Sequence, residues 1–442
     1  MEKTKNLKLW LPSDTDPLEV SKLSENFKKL DDFAQIAETF KVGDILYTLR
    51  TDLGDDWMLC NGESFDPKEY PELSEKLVGI GAMAEKMTID AVDWGNNLFP
   101  RYYATDGTNQ LIGMYATDGS RADTVYWSTD NFKTSIGKKL GMTSTNVPVF
   151  FANGYWIAIP LFNNNPSISV YTCDTPITGS FTKGGALSVS TDSLSSNYIR
   201  NVFHVEYFDG RYYAFCVDSA GSALVFRSDS SDFSNATRET VGASSGAYVQ
   251  FLRADDKFVF FGWTSSKLSK VCWSSSPASG YQVRSVSMTA AVSQASTEFA
   301  QPLYHNGKVF WASTTSTRFA GLVCLAGIET GGVSVIDLSS IAGTGSDVLM
   351  LNSEILDAGN GEFVIFCNTK TFFVSKDPEN PASWKKCTTT LTQYTTQYCA
   401  QFVANDCVCV AFVAAVKGIA SIPITAAPKI SIPSCYAYVK AR

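Results

Sequence analysis

The feature that most constrains this chain is a short turn signal, an Asn or Asp followed by Gly or Asp, that recurs at seven roughly evenly spaced places after residue 100. The signals are Asp106-Gly107, Asn153-Gly154, Asp209-Gly210, Asp255-Asp256, Asn306-Gly307, Asn360-Gly361 and Asn405-Asp406. Their spacings are 47, 56, 46, 51, 54 and 45 residues. Asn, Asp and Gly accept the left-handed backbone of tight hairpins, so each signal predicts a turn between two strands.

The segments around each turn have the composition of buried strands. Apolar and aromatic runs follow the turns, as in 211–217 (RYYAFCV) and 257–263 (KFVFFGW), and a third run such as 224–229 (LVFRSD) comes about 20 residues after the turn. Repeats of this length predict four-stranded sheets, and seven of them predict a ring in which each sheet covers its neighbours. The predicted fold is mostly β, with a seven-bladed β-propeller over residues 101–442.

Charge and hydropathy restrict the partners. The 442 residues include 36 basic and 44 acidic side chains, a formal net charge of -8, and they contain no run of about 18 apolar residues. This balance argues against nucleic acid as a partner and against membrane insertion. The opening residues, Met-Glu-Lys-Thr-Lys, lead into no apolar segment, so a classical secretory signal is not expected.

Cysteine and histidine usage narrows the chemistry further. Most of the 11 cysteines stand alone within apolar runs, as Cys216 and Cys272 do, which is typical of buried thiols in a protein made in a reducing compartment. The pair Cys407 and Cys409 lacks zinc-finger spacing, and the chain has only 2 histidines. The sequence therefore predicts no metal site and no cofactor.

The first hundred residues are of a different kind, with 11 basic and 20 acidic side chains. Residues 17–40 predict a helix, because Asp16 offers a cap and Pro17 suits the first turn. Its apolar positions recur at spacings of 3 and 4, typical of a seam that packs against copies of the same helix. The predicted oligomerisation residues are Val20, Leu23, Phe27, Leu30, Ala34 and Ala37. An ordinary amphipathic helix packed on its own domain is the alternative.

The segment after this helix resembles the phage tail collar domain. The matching positions are Val42, Gly43, Ile45, Trp57, Leu59, Cys60, Asn61, Gly62, Tyr70, Pro71 and Leu73. The stretch from Leu7 also resembles the start of phage tail-fibre proteins, so the resemblance covers roughly residues 6–77. It implies a trimeric tail protein with an attachment segment and heptad helix at 1–41 and a small α+β collar-like domain at 42–100. Other tail proteins would bind through residues 1–100.

The ends of several third strands resemble, in degenerate form, the Asp-box (BNR) turns of sialidase-like propellers. They carry Asp130, Asp174, Asp229 and Asp377, without the glycine that usually follows two residues later. A carboxylate in such a turn caps backbone N–H groups. These aspartates are therefore interpreted as scaffold residues and not as ligand-binding residues.

Sialidases of this architecture use three arginines, a Tyr–Glu pair and an acidic residue. Here Arg101 lies in a loosely similar context (FPRYY), and Glu206 precedes Tyr207. However, Glu206 and Tyr207 also fit an ordinary strand residue and a core aromatic, and no pair of carboxylates at glycosidase spacing can be located. The sequence therefore assigns no catalytic residues and favours a binding protein over an enzyme.

If the turn signals join first and second strands, the loops between second and third strands lie on the opposite rim. These loops are rich in hydroxyls and amides and poor in charge, which suits a neutral glycan, although plain solvated loops are the alternative. The predicted ligand-binding residues are Asn163, Asn164, Asn165, Asp218, Trp263, Ser266, Ser316 and Arg318.

These features together predict a virion tail fibre or tail-tip protein, made in the host cytoplasm, that forms a homotrimer and binds a host cell-surface glycan or protein receptor. A virion-borne glycan hydrolase and a purely structural tail-tip component are the alternatives. A phage-like bacteriocin or injection particle would use the same parts.

Overall fold

The computed structural model describes a defined part of the chain. The described residues are 2–3, 10–11, 22, 24–29, 45–48, 57–59, 70, 73, 84, 86–95, 97–116, 122–162, 165–175, 178–189, 197–241, 248–264, 266–289, 301–315, 318–343, 345, 354–359, 361–394, 399–424 and 436–440. The chain forms two compact units, one of residues 1–78 with 425–442 and one of residues 79–424.

The larger unit is a seven-bladed β-propeller, as the turn repeat predicts, because seven sheets of four antiparallel strands follow one another along the chain. Blades 1 to 3 consist of Leu98–Thr105, Gln110–Ala116, Ala122–Ser128 and Ile136–Ser144; Val149–Ala152, Tyr155–Ala158, Ser167–Cys173 and Thr182–Ser188; and Ile199–Phe208, Arg211–Asp218, Ala223–Ser228 and Thr237–Val241. Blades 4 and 5 consist of Tyr248–Ala254, Lys257–Thr264, Lys267–Ser274 and Gln282–Ser285; and Leu303–His305, Lys308–Thr315, Arg318–Leu325 and Val333–Asp337. Blades 6 and 7 consist of Leu356–Asp357, Phe363–Phe366, Thr371–Ser375 and Lys385–Thr388; and Cys399–Ala404, Cys407–Val413, Lys417–Pro423 and Thr88–Ala91.

The turn signals join the first and second strands of their blades. Asn153, Asp209 and Asn306 have φ angles of 47°, 47° and 49°, and the glycines that follow them have φ angles of 78° to 82°. The strands pair directly on either side of these two residues, for example Ala152 with Tyr155. This is the tight hairpin that the sequence predicts, and it fixes the register of blades 2, 3 and 5.

The ring closes through a strand that the turn repeat does not reveal. Thr88–Ala91 is the outer strand of blade 7 and pairs with Gly418–Ser421 near the other end of the propeller. The propeller therefore comprises residues 79–424 and differs from the predicted range 101–442, because the closing strand precedes the first turn signal and has no hairpin of its own.

The core lies between the blades and not within them. Separate clusters of buried apolar side chains fill the junctions of blades 2 and 3, 3 and 4, 4 and 5, 5 and 6, and 6 and 7, and a larger one joins blades 7, 1 and 2. The thiols of Cys216, Cys272 and Cys324 are buried, as predicted. Two short helical turns, Ser339–Ala342 and Pro381–Ser383, lie in connections of blades 5 and 6.

Polar contacts between turns also hold neighbouring blades together. The turn between the first two strands of one blade contacts the turn between the last two strands of the next. Lys257 Nζ of blade 4 lies 3.3 Å from Glu329 Oε1 of blade 5, and Lys308 of blade 5 pairs with Glu379 of blade 6. Asn405 Nδ2 of blade 7 donates to the Thr129 carbonyl of blade 1 (3.3 Å), so the same contact recurs where the ring closes.

The smaller unit combines both ends of the chain. Its three-stranded sheet has the order Ile45–Thr48, Tyr436–Lys440, Trp57–Leu59, so the C-terminal strand lies in the middle and pairs with both neighbours. Glu2–Lys3 pairs separately with Trp10–Leu11. This arrangement differs from the predicted boundaries 1–41 and 42–100, because the sheet needs a strand that follows the propeller.

The predicted oligomerisation helix is described only in part. Residues 24–29 are helical, Phe27 is 62% exposed, and Lys29 Nζ pairs with Glu25 Oε1 at 2.6 Å. Oligomerisation through this helix stays a prediction. The remaining seam residues, Val20, Leu23, Leu30, Ala34 and Ala37, lie outside the described residues. Within the described part of the chain, no helix is long and apolar enough to cross a membrane.

Candidate functional site

The propeller has two chemically different faces. The hairpins between second and third strands and the links from one blade to the next lie at one end of the blades, which we call the upper rim. The turns between first and second strands lie at the other end, which we call the turn face. The predicted ligand-binding residues that the structure describes belong to the upper rim by this topology; they are Asn165, Asp218, Trp263, Ser266 and Arg318.

Two of the predicted ligand-binding residues are buried inside their blades. Trp263 is fully buried, and its indole N–H donates to Gln250 Oε1 at 2.8 Å. Asp218 is 6% exposed, and its Oδ1 accepts from the backbone N–H of Ser222 at 2.7 Å. Both side chains stabilise the hairpins that carry them. Trp263 and Asp218 therefore present almost no surface to a ligand.

Three other predicted residues reach the surface to different degrees. Arg318 is exposed, whereas Asn165 and Ser266 are half-buried. Asn165 Oδ1 accepts from the Ser167 N–H (3.1 Å), and Ser266 has a φ of 60°, as a tight hairpin requires. The remaining predicted residues, Asn163, Asn164 and Ser316, lie outside the described residues.

Much of the polar character of the rim is used to hold its own loops. In blade 6, Asn368 Oδ1 accepts from the backbone N–H groups of Lys370 and Thr371, both at 2.9 Å. Thr369 is 2% exposed, and its hydroxyl donates to the Thr392 carbonyl at 2.9 Å. A hydroxyl-rich loop sequence is therefore not by itself evidence of a ligand site.

An exposed aromatic and a cation meet at the junction of blades 3 and 4. Tyr248 begins the inner strand of blade 4 and is 41% exposed, and the Arg200 guanidinium lies 6.0 Å from its ring centroid. Arg200 is the extra residue of a β-bulge, because Ile199 and Asn201 pair with consecutive residues of the next strand. We call Arg200 and Tyr248 the rim patch.

A second bulged arginine lies at the equivalent place in blade 1. The register shifts between Pro100 and Tyr102, which leaves Arg101 as the extra residue. Its guanidinium lies 4.7 Å from the Tyr115 ring centroid, and its Nη1 donates to Asn146 Oδ1 at 3.5 Å. Bulges redirect side chains and are common next to functional sites. The sequence drew attention to Arg101 only through its FPRYY context and did not draw attention to Arg200, because the bulges that place both side chains depend on cross-strand register.

A carboxyl with unusual acidity lies near Arg101. Burial raises the pKa of Glu354, just before the inner strand of blade 6, to about 8, although the positive charge of Arg101 opposes this shift. Cys399 on the inner strand of blade 7 is close to both, and burial raises the pKa of its thiol to about 12. The Glu354 carboxyl therefore carries a proton over much of the neutral range.

Replacement of Glu354 with Gln should stabilise the protein more as the pH rises. In the unfolded chain a Glu loses its proton near pH 4.3, whereas the folded protein holds it until about pH 8. Ionisation therefore costs the wild-type fold stability as pH climbs between these values, and Glu354→Gln avoids that cost. The Glu354 side chain is only half-buried, so solvent screens part of this cost. We expect a gain in the free energy of unfolding of about 1–3 kcal/mol at pH 8 and almost none at pH 5. Urea unfolding at both pH values measures it. An equal gain at both would contradict the assignment.

Glu206 and Tyr207, the other residues considered for catalysis, lie in blade 3 and not beside Arg101 and Glu354. Glu206 Oε1 lies 3.3 Å from Arg253 Nε of the next blade, and Glu206 Oε2 lies 3.6 Å from His204 Nε2. Burial alone would raise the pKa of Glu206, but His204 and Arg253 together lower it. Tyr207 is 40% exposed and packs on Tyr212. Glu206 thus forms an ion pair between blades 3 and 4.

Of the four aspartates predicted to cap backbone N–H groups at the ends of third strands, Asp130 and Asp377 do so, and Asp174 and Asp229 do not among the described residues. Asp130 accepts from the Thr134 N–H at 3.0 Å, and Asp377 accepts from the Glu379 N–H at 3.0 Å. In blade 3 the capping carboxylate is Asp232, which accepts from the Ser234 N–H at 3.0 Å, whereas Asp229 pairs with Arg211 on the surface. In blade 2, the Asp174 carboxylate accepts from the hydroxyl of its neighbour Thr175 at 2.9 Å. Within the described part of the chain, it caps no backbone N–H group.

The described residues contain no cluster of three or more His, Cys, Asp or Glu side chains suited to a metal ion. The arrangement on the upper rim instead offers a stacking surface, a cation and hydroxyl groups. The chemistry of such a set suits polar, ring-shaped ligands.

Comparison with known proteins gives only distant structural similarity. No protein-family profile and no curated protein matches the chain. Among solved structures, U3-55K is 10% identical over 76% of this chain and 98% of that one, with a TM-score of 0.47. The β-propeller domain of the Trilobed protease from Pyrococcus furiosus is 8% identical over 76% and 99%, with a TM-score of 0.41. An α-L-arabinofuranosidase from Clostridium thermocellum is 13% identical over 54% and 93%, with a TM-score of 0.36. Strand pairing within this chain therefore carries the fold assignment.

Proposed function

We propose that the chain is a bacteriophage tail protein that attaches through its smaller unit and binds a host cell-surface glycan through the upper rim of its propeller. The attachment role is supported by the resemblance of residues 6–77 to phage tail collar and tail-fibre proteins. A homotrimer joined through the heptad helix fits that role.

The observation that carries the binding role is the rim patch. A sugar ring stacks on an exposed aromatic face, and its hydroxyls bond to nearby donors and acceptors. Tyr248 supplies the ring, and Arg200 supplies a donor fork beside it. These groups come from two neighbouring blades, so the closed ring holds them in place before a ligand arrives.

Purified full-length protein should compete with the tailed particles for adsorption to their bacterial host. Arg200→Ala and Tyr248→Ala should each compete at least about tenfold less well, because each removes a main contact of the rim patch. Plaque counts of unadsorbed particles, measured against protein concentration, give the effect.

Arg238→Ala is the matched control, since Arg238 is an exposed arginine on the outer strand of blade 3. It should compete like the wild-type protein. Full competition by both rim-patch variants would refute the glycan site, and no competition by the wild-type protein would refute the tail role.

A glycan hydrolase is the second candidate, because Glu354 holds its proton near neutral pH as a general acid must. Glycosidases use two carboxylates, which argues against this candidate. In the described part of the chain, the charged group that acts on Glu354 is the guanidinium of Arg101 and not a second carboxylate. Oligosaccharide release from host envelope polysaccharide that Glu354→Gln abolishes would favour the hydrolase over the binding protein.

A further inference from the structure

Three tyrosines from two blades form a compact group on the turn face, opposite the rim patch. Tyr155 of blade 2 is 37% exposed and Tyr207 of blade 3 is 40% exposed, and the ring of Tyr212 lies between them. The centroids of Tyr155 and Tyr212 are 6.5 Å apart, and those of Tyr207 and Tyr212 are 4.8 Å apart. We call these three residues the tyrosine platform.

The platform rests on a fixed base. Tyr212 is only 4% exposed, and its ring packs on the fully buried Phe233 with centroids 6.4 Å apart. Its hydroxyl accepts from Asn153 Nδ2 at 3.3 Å, so the hairpin of blade 2 is tied to blade 3 at this point. A sugar that stacks on Tyr155 or Tyr207 therefore meets a ring that packs against a fixed neighbour.

The charges around the platform indicate what it can bind. Arg211 is neutralised by Asp229, with Nε 2.8 Å from Oδ1, and Asp209 lies in the turn between Tyr207 and Arg211. The summed charge of these three residues is therefore negative, which disfavours anionic sugars. The Asp209 carboxylate and the Asn153 side-chain oxygen can accept hydrogen bonds from the hydroxyl groups of a neutral sugar. Aromatic faces bordered by amide and carboxylate groups suit an uncharged pyranose.

We propose that the tyrosine platform is a second binding site, for a neutral hexose unit of a glycan, on the face opposite the rim patch. A proline-rich peptide also stacks on tyrosine pairs, but it draws part of its affinity from a long groove and a charged flank. The platform offers two rings and an ion pair that is already closed. The proposal does not depend on the rim patch or on a role in a phage tail.

Calorimetric titration of the full-length protein tests the proposal, with maltohexaose, cellohexaose, mannohexaose and chitohexaose as probes and decaproline as the competing class. At least one hexasaccharide should bind. Tyr155→Ala and Tyr207→Ala should each weaken that binding by about tenfold, because stacking on one ring is lost. Both residues are exposed, so these variants should keep the melting temperature of the wild-type protein.

Two control variants distinguish binding at the tyrosine platform from binding at the rim patch. These titrations use a Tyr248→Ala background, in which binding at the rim patch is removed. There Tyr207→Phe keeps the stacking face and should bind as its parent does, and Arg238→Ala, on the outer strand of blade 3 and in neither site, should have no effect. Binding that survives the Tyr155→Ala and Tyr207→Ala double change in this background would overturn the proposal. So would decaproline binding without any saccharide binding, or the absence of binding to every probe.

Discussion

A fragment of residues 92–424 should fail to form a stable propeller, whereas a fragment of residues 79–424 should fold and unfold in one cooperative transition. The two differ by the segment that contains Thr88–Ala91, the outer strand of blade 7. Without it, Gly418–Ser421 loses its backbone partners and the ring loses its closure. The exposed edge is apolar (GIASIP), which favours aggregation through strand pairing.

Calorimetry and size-exclusion chromatography of the two fragments measure the effect. A synthetic peptide of residues 79–91 should restore the cooperative transition of the shorter fragment, since it supplies the missing strand in trans. A peptide with Ile89 replaced by Pro should not, because proline cannot donate to the ladder. Equal melting temperatures for both fragments would mean that the closing strand is dispensable.

The contrast between the turn repeat and the closing strand explains what the sequence could predict. Asn153-Gly154 and Asp209-Gly210 specify their hairpins through local backbone chemistry, so the number of blades follows from a few residues at a time. Thr88–Ala91 is short, has no turn of its own and pairs with a strand more than 300 residues away. The same holds for Tyr436–Lys440, whose two partners lie near the other end of the chain. Pairing at such distances leaves no local pattern.

The candidate site was harder to predict than the fold. Trp263 stands beside polar loop residues, and only its partner Gln250 and the packing of blade 5 make it a buried residue. Arg200 and Tyr248 look like ordinary strand residues, and a register shift together with the meeting of two blades makes them a pair at the surface. Local composition indicates that the rim loops are polar, but it does not indicate which of their side chains remain available to a ligand.

Replacement of Gln250 with Leu should destabilise the propeller strongly, because one buried oxygen serves two blades. Gln250 Oε1 accepts from the indole N–H groups of Trp263 in blade 4 and Trp311 in blade 5, both at 2.8 Å. Gln250 is 1% exposed, and both tryptophans are fully buried. Leucine has a similar volume but leaves two buried donors without an acceptor, at about 1–3 kcal/mol each. We expect a loss of about 3–5 kcal/mol and a melting temperature several degrees lower in calorimetry.

The effect should depend on the two donors and not on the shape of residue 250. In a background with Trp263→Phe and Trp311→Phe, the same Gln250→Leu change should cost far less, because the indole N–H groups that need an acceptor are gone. An equal loss in both backgrounds would show that the packing of Gln250, and not its oxygen, joins the blades. Gln250 and Tyr248 lie two residues apart on one strand and so face the same side of it. The hydrogen bonds that join blades 4 and 5 therefore also fix the strand that presents the ring of the rim patch.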